Sequence, residues 1–146
     1  MRLRDLVHPH VLYDTIEVPL PCKPGFKFAL FRDLQGKTRE QTNFDTPLRL
    51  HCGEAFRLDS VVVLASYAGL LATADLTLKA DDRMLVSLPL SDLVTPRLAR
   101  DTFMDNTDIR GRVGIIRSVP GTGVATVRVE LHGVLAKPIP KEWRPE

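Results

Sequence analysis

The chain has 146 residues, with 20 basic and 18 acidic side chains for a formal charge of +2 and a hydrophobic fraction of 44%. That length suits one domain with a core of its own, and the charges are spread evenly, without the basic stripe that nucleic acid demands. Aromatic residues at 6% leave few platforms for stacking bases, and no apolar window has the length of a signal peptide or a membrane span, so neither nucleic acid nor a membrane is an expected partner.

In chain order, residues 1–12 (MRLRDLVHPHVL) mix proline, charge and isolated apolar groups without a sustained period, which predicts an N-terminal arm. His8 and His10 would share a face of a strand, but Pro9 separates them and no third ligand lies near in sequence, so no metal is expected. VLYDTIEV (11–18) and FKFALF (26–31) read as strands joined by PLPCKPG, whose prolines cannot donate to a ladder. Gly36-Lys37-Thr38 repeats the end of a phosphate-binding loop. The first glycine of that cradle is replaced by Phe31 and no helical period follows, so this segment reads as a loop.

AFRLDSVVVLASYAGLLA starts as an alternation and becomes a solid apolar run at Val61 to Leu64, as in a strand covered on both faces. Ala65, Ala68 and Ala72 also permit a helix; the β-branched triplet Val61-Val62-Val63 and Gly69 favour strands. Ala74, Leu76 and Leu78 alternate with polar neighbours. Asp81-Asp82 then turns the chain into RMLVSLPL, a strand that Pro89 confines to an edge or an end. Thr95-Pro96 ahead of RLARDTFM predicts the one short helix, with Thr95 as cap and Pro96 in the first turn.

Gly121-Thr122-Gly123 lacks the third glycine of a dinucleotide fingerprint, because position 126 is Thr126 within a strand pattern. Pro120-Gly121 predicts a type II turn joining GRVGIIRSV and GVATVRVEL as a hairpin. Val127, Val129 and Leu131 alternate with Arg128, Glu130 and His132, the period of a half-buried strand, and Gly133 permits a bulge or a close backbone approach. Residues 137–146 (KPIPKEWRPE) form a tail. The expected fold class is therefore all-β: a single-domain β-sandwich or jelly-roll-like barrel over residues 13–136, with one short helix and extended terminal arms.

Chemistry is sparse. His51 and Cys52 are adjacent and would point to opposite faces of a strand, so they cannot form their own dyad; a pairing of Cys22 or Cys52 with His132 would need the fold to create it. The two cysteines are expected as free thiols. Asp101, Asp105 and Asp108 do not follow calcium-loop spacing and predict an ion-pair network with Arg100, Arg110 and Arg112. No catalytic set assembles, so neither an enzyme nor a cofactor is expected. Only Asn43, Asn106, Gln35 and Gln41 carry amides, and with 11 prolines this leans toward heat tolerance. Leu3, Leu6, Val11 and Leu12 at one end and Ile139 and Trp143 at the other are poor choices for solvent, so these ends are expected to dock on the body or on a neighbour.

In this overall character, with its single β-domain, the leading segment MRLRDLVHPHVLYDTIEVPLP, the tail KPIPKEWRPE and few amides, the chain resembles the capsid decoration (auxiliary or cement) proteins of tailed phages that infect thermophilic bacteria. The resemblance implies a jelly-roll-like body that trimerises on the outside of a shell and clamps neighbouring copies of the major capsid protein. It also implies arms that reach adjacent protomers, and a place in the virion after assembly in the host cytoplasm. Two other classes fit the sequence. A ligand- or carbohydrate-binding β-barrel would use Trp143 and Tyr67 as stacking faces, and a cupin-like enzyme would need histidines and a carboxylate to converge on a metal.

Overall fold

Runs of alternating apolar residues become strands whose two faces have different solvents, and here eight such strands close over one core. The computed structural model describes residues 5–31, residue 50 and residues 52–138. The strands are β1 (Asp5–Cys22), β2 (Lys27–Leu30), β3 (Ala55–Ala65), β4 (Ala74–Ala80), β5 (Arg83–Pro89), β6 (Arg97–Met104), β7 (Ile109–Ile115) and β8 (Val119–Pro138). They form two four-stranded antiparallel sheets, β1-β8-β3-β6 and β2-β7-β4-β5.

The order has a simple origin. Strand β4 pairs with β5, β3 with β6, β2 with β7 and β1 with β8, as if one long hairpin had been rolled up with its tip at Asp81-Asp82. This β-sandwich has the strand order of a jelly roll, in which successive strands fall in alternate sheets except for β4 and β5 at the tip. The tip is a two-residue turn between Ala80 and Arg83, with Asp81 at φ 53°, a left-handed conformation that Asp tolerates better than most residues.

The inner faces meet in a continuous apolar core that includes Leu12, Phe56, Leu58, Leu76, Phe103, Val127 and Leu131, all fully buried. Phe56 and Phe103, paired across β3 and β6, stack with ring centroids 6.0 Å apart. Carboxylates tie both open sides of the sandwich. Arg83 on β5 forks onto Asp101 on β6, with Nε and Nη2 at 3.0 and 3.2 Å from the two oxygens. On the other side Asp14 on β1 accepts a 2.9 Å hydrogen bond from the Phe31 N–H just past β2. Phe31 is buried with φ 56°, so the Asp14 carboxylate stabilises a strained backbone whose N–H would otherwise need another acceptor.

Three expectations need correction. Residues 5–12 are not an arm: they are the first half of β1, paired with β8 from Asp5↔Pro138 through Leu12↔Leu131. Thr95-Pro96 does not start a helix; Arg97–Met104 is β6, because pairing with β3 satisfies its backbone better than a lone helical turn. Among the described residues, the helical ones form short 3-10 turns at Ala68–Leu70 and Leu90–Leu93. Nor do β7 and β8 form a hairpin, since they belong to different sheets. Pro120 and Gly121 lie inside β8, where Gly121 (φ 136°) and Gly123 (φ 86°) absorb an irregularity opposite Leu20 and Cys22.

Other expectations hold. The segment at residues 55–65 is a strand rather than a helix, and Pro89 ends β5 at a sheet edge. Val61, Val62 and Val63 are buried, but Leu64 is exposed, so the apolar run is covered on both faces only in part. At Gly133 the backbone approach is close. A Cβ there would overlap the Arg57 carbonyl oxygen, beside the bulge between Leu58 and Ser60.

Candidate docking surface

Paired residues share a face, so the register of β1-β8-β3-β6 maps its outward surface. One row runs Val7–Ala136–Ala55–Met104, the next but one Val11–His132–Ser60–Leu98, then Tyr13–Glu130–Val62, then Thr15–Arg128–Leu64, and Val124 follows opposite Pro19. Val7, Leu64, Leu98, Met104 and Val124 are each between 50% and 74% exposed on this one face. By strand spacing and rise the face measures on the order of 800 Å². That is about what one partner contributes to a stable protein interface.

A polar stripe crosses the middle. Arg128 lies 3.6 Å over the Tyr13 ring centroid and its Nε is 2.7 Å from Glu130 Oε2, while Glu130 Oε1 is 2.9 Å from His132 Nε2. Burial alone would push the Glu130 carboxyl up, but the hydrogen bonds from Arg128 and His132 prevail and hold it below its ordinary value. The stripe is thus internally satisfied, and the Arg128 guanidinium is spread flat over an aromatic ring. The alternation Arg128, Glu130, His132 shows in the sequence that the three share a face. The flanking apolar groups come from β1, β3, β6 and, at Val124, β8, and no local pattern assembles them.

The opposite outward face, on β2-β7-β4-β5, is different in kind. Its rows are Lys27–Gly114–Asp75–Pro89, Ala29–Arg112–Thr77–Ser87 and Arg110–Lys79–Met84. Lys27, Lys79, Arg110 and Arg112 stand around an open depression of about 580 Å³. The first outward face therefore carries exposed apolar groups on either side of a polar stripe, and the second is basic.

The residues expected to bind partners fall as follows. Leu12 is fully buried in the core opposite Leu131 and is unavailable to a neighbour. Val11 is half-buried on the apolar outward face, opposite His132. Leu6 takes its place in β1 opposite Lys137. Leu3, Ile139 and Trp143 lie outside the described residues, as do Gly36, Lys37 and Thr38.

His8 and His10 do share a face of β1, the inward one, with ring centroids 5.7 Å apart. His10 Nε2 is buried without a hydrogen-bond partner among the described residues. Burial, the neighbouring His8 and Lys137 lower its pKa against the opposing pull of Glu54. Among the described residues no three or more His, Cys, Asp or Glu side chains converge as metal ligands. Cys22 and Cys52 are free; Cys22 pairs with Val119, toward the opposite end of β8 from His132, so the fold does not bring these two together. The aspartate cluster divides. Asp108 pairs with Arg110, Asp101 with Arg83 rather than Arg100, and Asp105 accepts from the Gly53 N–H. Tyr67 is half-buried, with its Cε2 2.6 Å from where a Cβ on Gly69 would stand, so its ring packs on its own turn instead of facing a ligand.

No protein-family model matches the chain, and no curated protein or solved structure matches it.

Proposed function

We propose that this protein is a structural assembly module that packs against copies of itself through the outward face of β1-β8-β3-β6. In keeping with the sequence resemblance, it would trimerise on the outside of a capsid shell and clamp neighbouring capsid subunits. The observation that carries the reading is the gathering of Val7, Leu64, Leu98, Met104 and Val124 on one face. Each of these large apolar groups is at least half exposed in the single chain, and covering them returns about 25 cal/mol per Å². The self-satisfied stripe of Tyr13, Arg128, Glu130 and His132 adds a polar pattern that fixes register between packed copies.

The jelly roll by itself is neutral between the alternatives, since capsid proteins, lectins and cupins all use it. Residue chemistry favours assembly. The inner faces are filled by large apolar side chains such as Phe56, Leu58, Leu76 and Phe103, which occupy the space that a barrel-mouth ligand would need.

Light scattering on the purified protein tests this. The wild type is expected at three times the 16.3 kDa chain mass, and Leu64→Glu with Leu98→Glu should give a monomer that keeps its fold by circular dichroism. A wild type that stays monomeric at high micromolar concentration overturns the reading. So does a double variant with the oligomeric mass intact.

A further inference from the structure

We infer that the outward face of β2-β7-β4-β5 is a second, separate docking surface, built for an acidic segment on the surface of a partner protein. Register places Arg110 directly opposite Lys79 on the paired strands β7 and β4. Residues so placed have Cβ atoms about 5 Å apart, so the two cations stand side by side on this face. Arg112 follows on the same face two residues along β7, and Lys27 stands diagonally across on β2. Asp108 offsets only one of these cations, with its carboxylate 2.6 Å from Arg110 Nη2. Lys27, Lys79 and Arg112 have no ion-pair partner among the described residues.

The surface between the cations is low. Ala29 and Thr77 flank Arg112 across the sheet, and Gly114 separates Lys27 from Asp75, so the long side chains stand as walls around a shallow floor. The depression of about 580 Å³ suits a few residues of another chain. An anion seated there would meet the charges of Lys27, Lys79 and Arg112, and the guanidinium of Arg112 offers the fork that a carboxylate accepts.

Carboxylates fit better than a nucleic-acid backbone. Among the described residues, the paired rows of this face have no aromatic ring on which a base could stack, and Asp75 and Asp108 interrupt the positive field. An acidic peptide can place its charges between those aspartates, which a uniform phosphate ladder cannot do. The inference does not rest on self-association through the other sheet, because a monomer presents this face equally well.

Fluorescence anisotropy with a labelled poly-L-glutamate peptide tests it, alongside oligothymidylate of equal charge, on the wild type and on the Leu64→Glu, Leu98→Glu variant. Both proteins should bind the glutamate peptide at low salt, and more tightly than the oligonucleotide. Affinity should fall about tenfold once the salt shortens the Debye length to about 5 Å. Lys79→Glu with Arg112→Glu should weaken binding at least about tenfold, on the order of 1.4 kcal/mol, without lowering the melting temperature. Should that variant fail to fold, Lys79→Ala with Arg112→Gln serves, and Arg57→Glu on the other sheet should bind like the wild type. No binding at low salt, preference for the oligonucleotide, or unchanged binding by the Lys79 and Arg112 variants overturns the inference.

Discussion

His10 shows how one side chain carries an environment. It faces inward from β1 opposite Gly133. Burial lowers its pKa from 6.5, with His8 and Lys137 adding to the effect and Glu54 opposing it. The folded protein therefore binds fewer protons here than the unfolded chain does, and stability is full above the ordinary histidine value and falls as pH drops through it. We predict that melting temperature declines from about pH 7.5 to about pH 5.5, and that His10→Asn flattens this segment of the profile. An unchanged slope in the variant would assign the acid sensitivity elsewhere. Glu130 has the same sign in a lower window. Its carboxyl is held below 4.5, so its contribution is present above that value and is lost only in stronger acid.

At the scale of elements, β1 and β8 are the frame. Their ladder runs from Asp5↔Pro138 to Cys22↔Val119 and ties the first described strand to the last. Leu12 is a core residue within it, buried against the same interior as Phe56 and Leu131. Deleting residues 1–12 should therefore destabilise the body itself: the loss of Leu12 alone is worth about 2–5 kcal/mol, before the lost ladder is counted. Chemical denaturation of the truncated protein checks this, and a midpoint equal to that of the full chain would show that β1 is dispensable before Tyr13. Gly133 belongs to the same frame. Its bare backbone lets β8 pass the bulge in β3 without meeting the Arg57 carbonyl.

For the whole molecule, one outward face exposes the large apolar groups and the other the cluster of cations. Contacts through the first should be nearly indifferent to salt, and contacts through the second should be weakened by it. The proposed self-association through the first face would also link folding to assembly, so the melting temperature should rise with protein concentration. In the Leu64→Glu, Leu98→Glu variant that rise should vanish. A melting temperature independent of concentration in the wild type would separate folding from assembly. The paired carboxylate ties, Asp14 to Phe31 on one side and Asp101 to Arg83 on the other, hold the sheets together whichever face is occupied.

Sequence alone determined the all-β class, the strands around Val127, Leu76 and Val61, the turn at Asp81-Asp82 and the close approach at Gly133, because each rests on a period or a turn preference written in neighbouring residues. It misread residues 5–12 because the usual pattern is inverted there: Val7, Pro9 and Val11 face outward, while His8 and His10 face inward. It misread Thr95-Pro96 because a helix cap is a local signal, whereas β6 is held by a partner strand distant in sequence. The sorting of exposed apolar groups onto one face and cations onto the other was out of reach for the same reason. Val7, Leu64, Leu98 and Met104 come from three strands, and Lys27, Lys79 and Arg112 from three others; only the rolled pairing of β1 with β8 and β2 with β7 brings each set onto one surface.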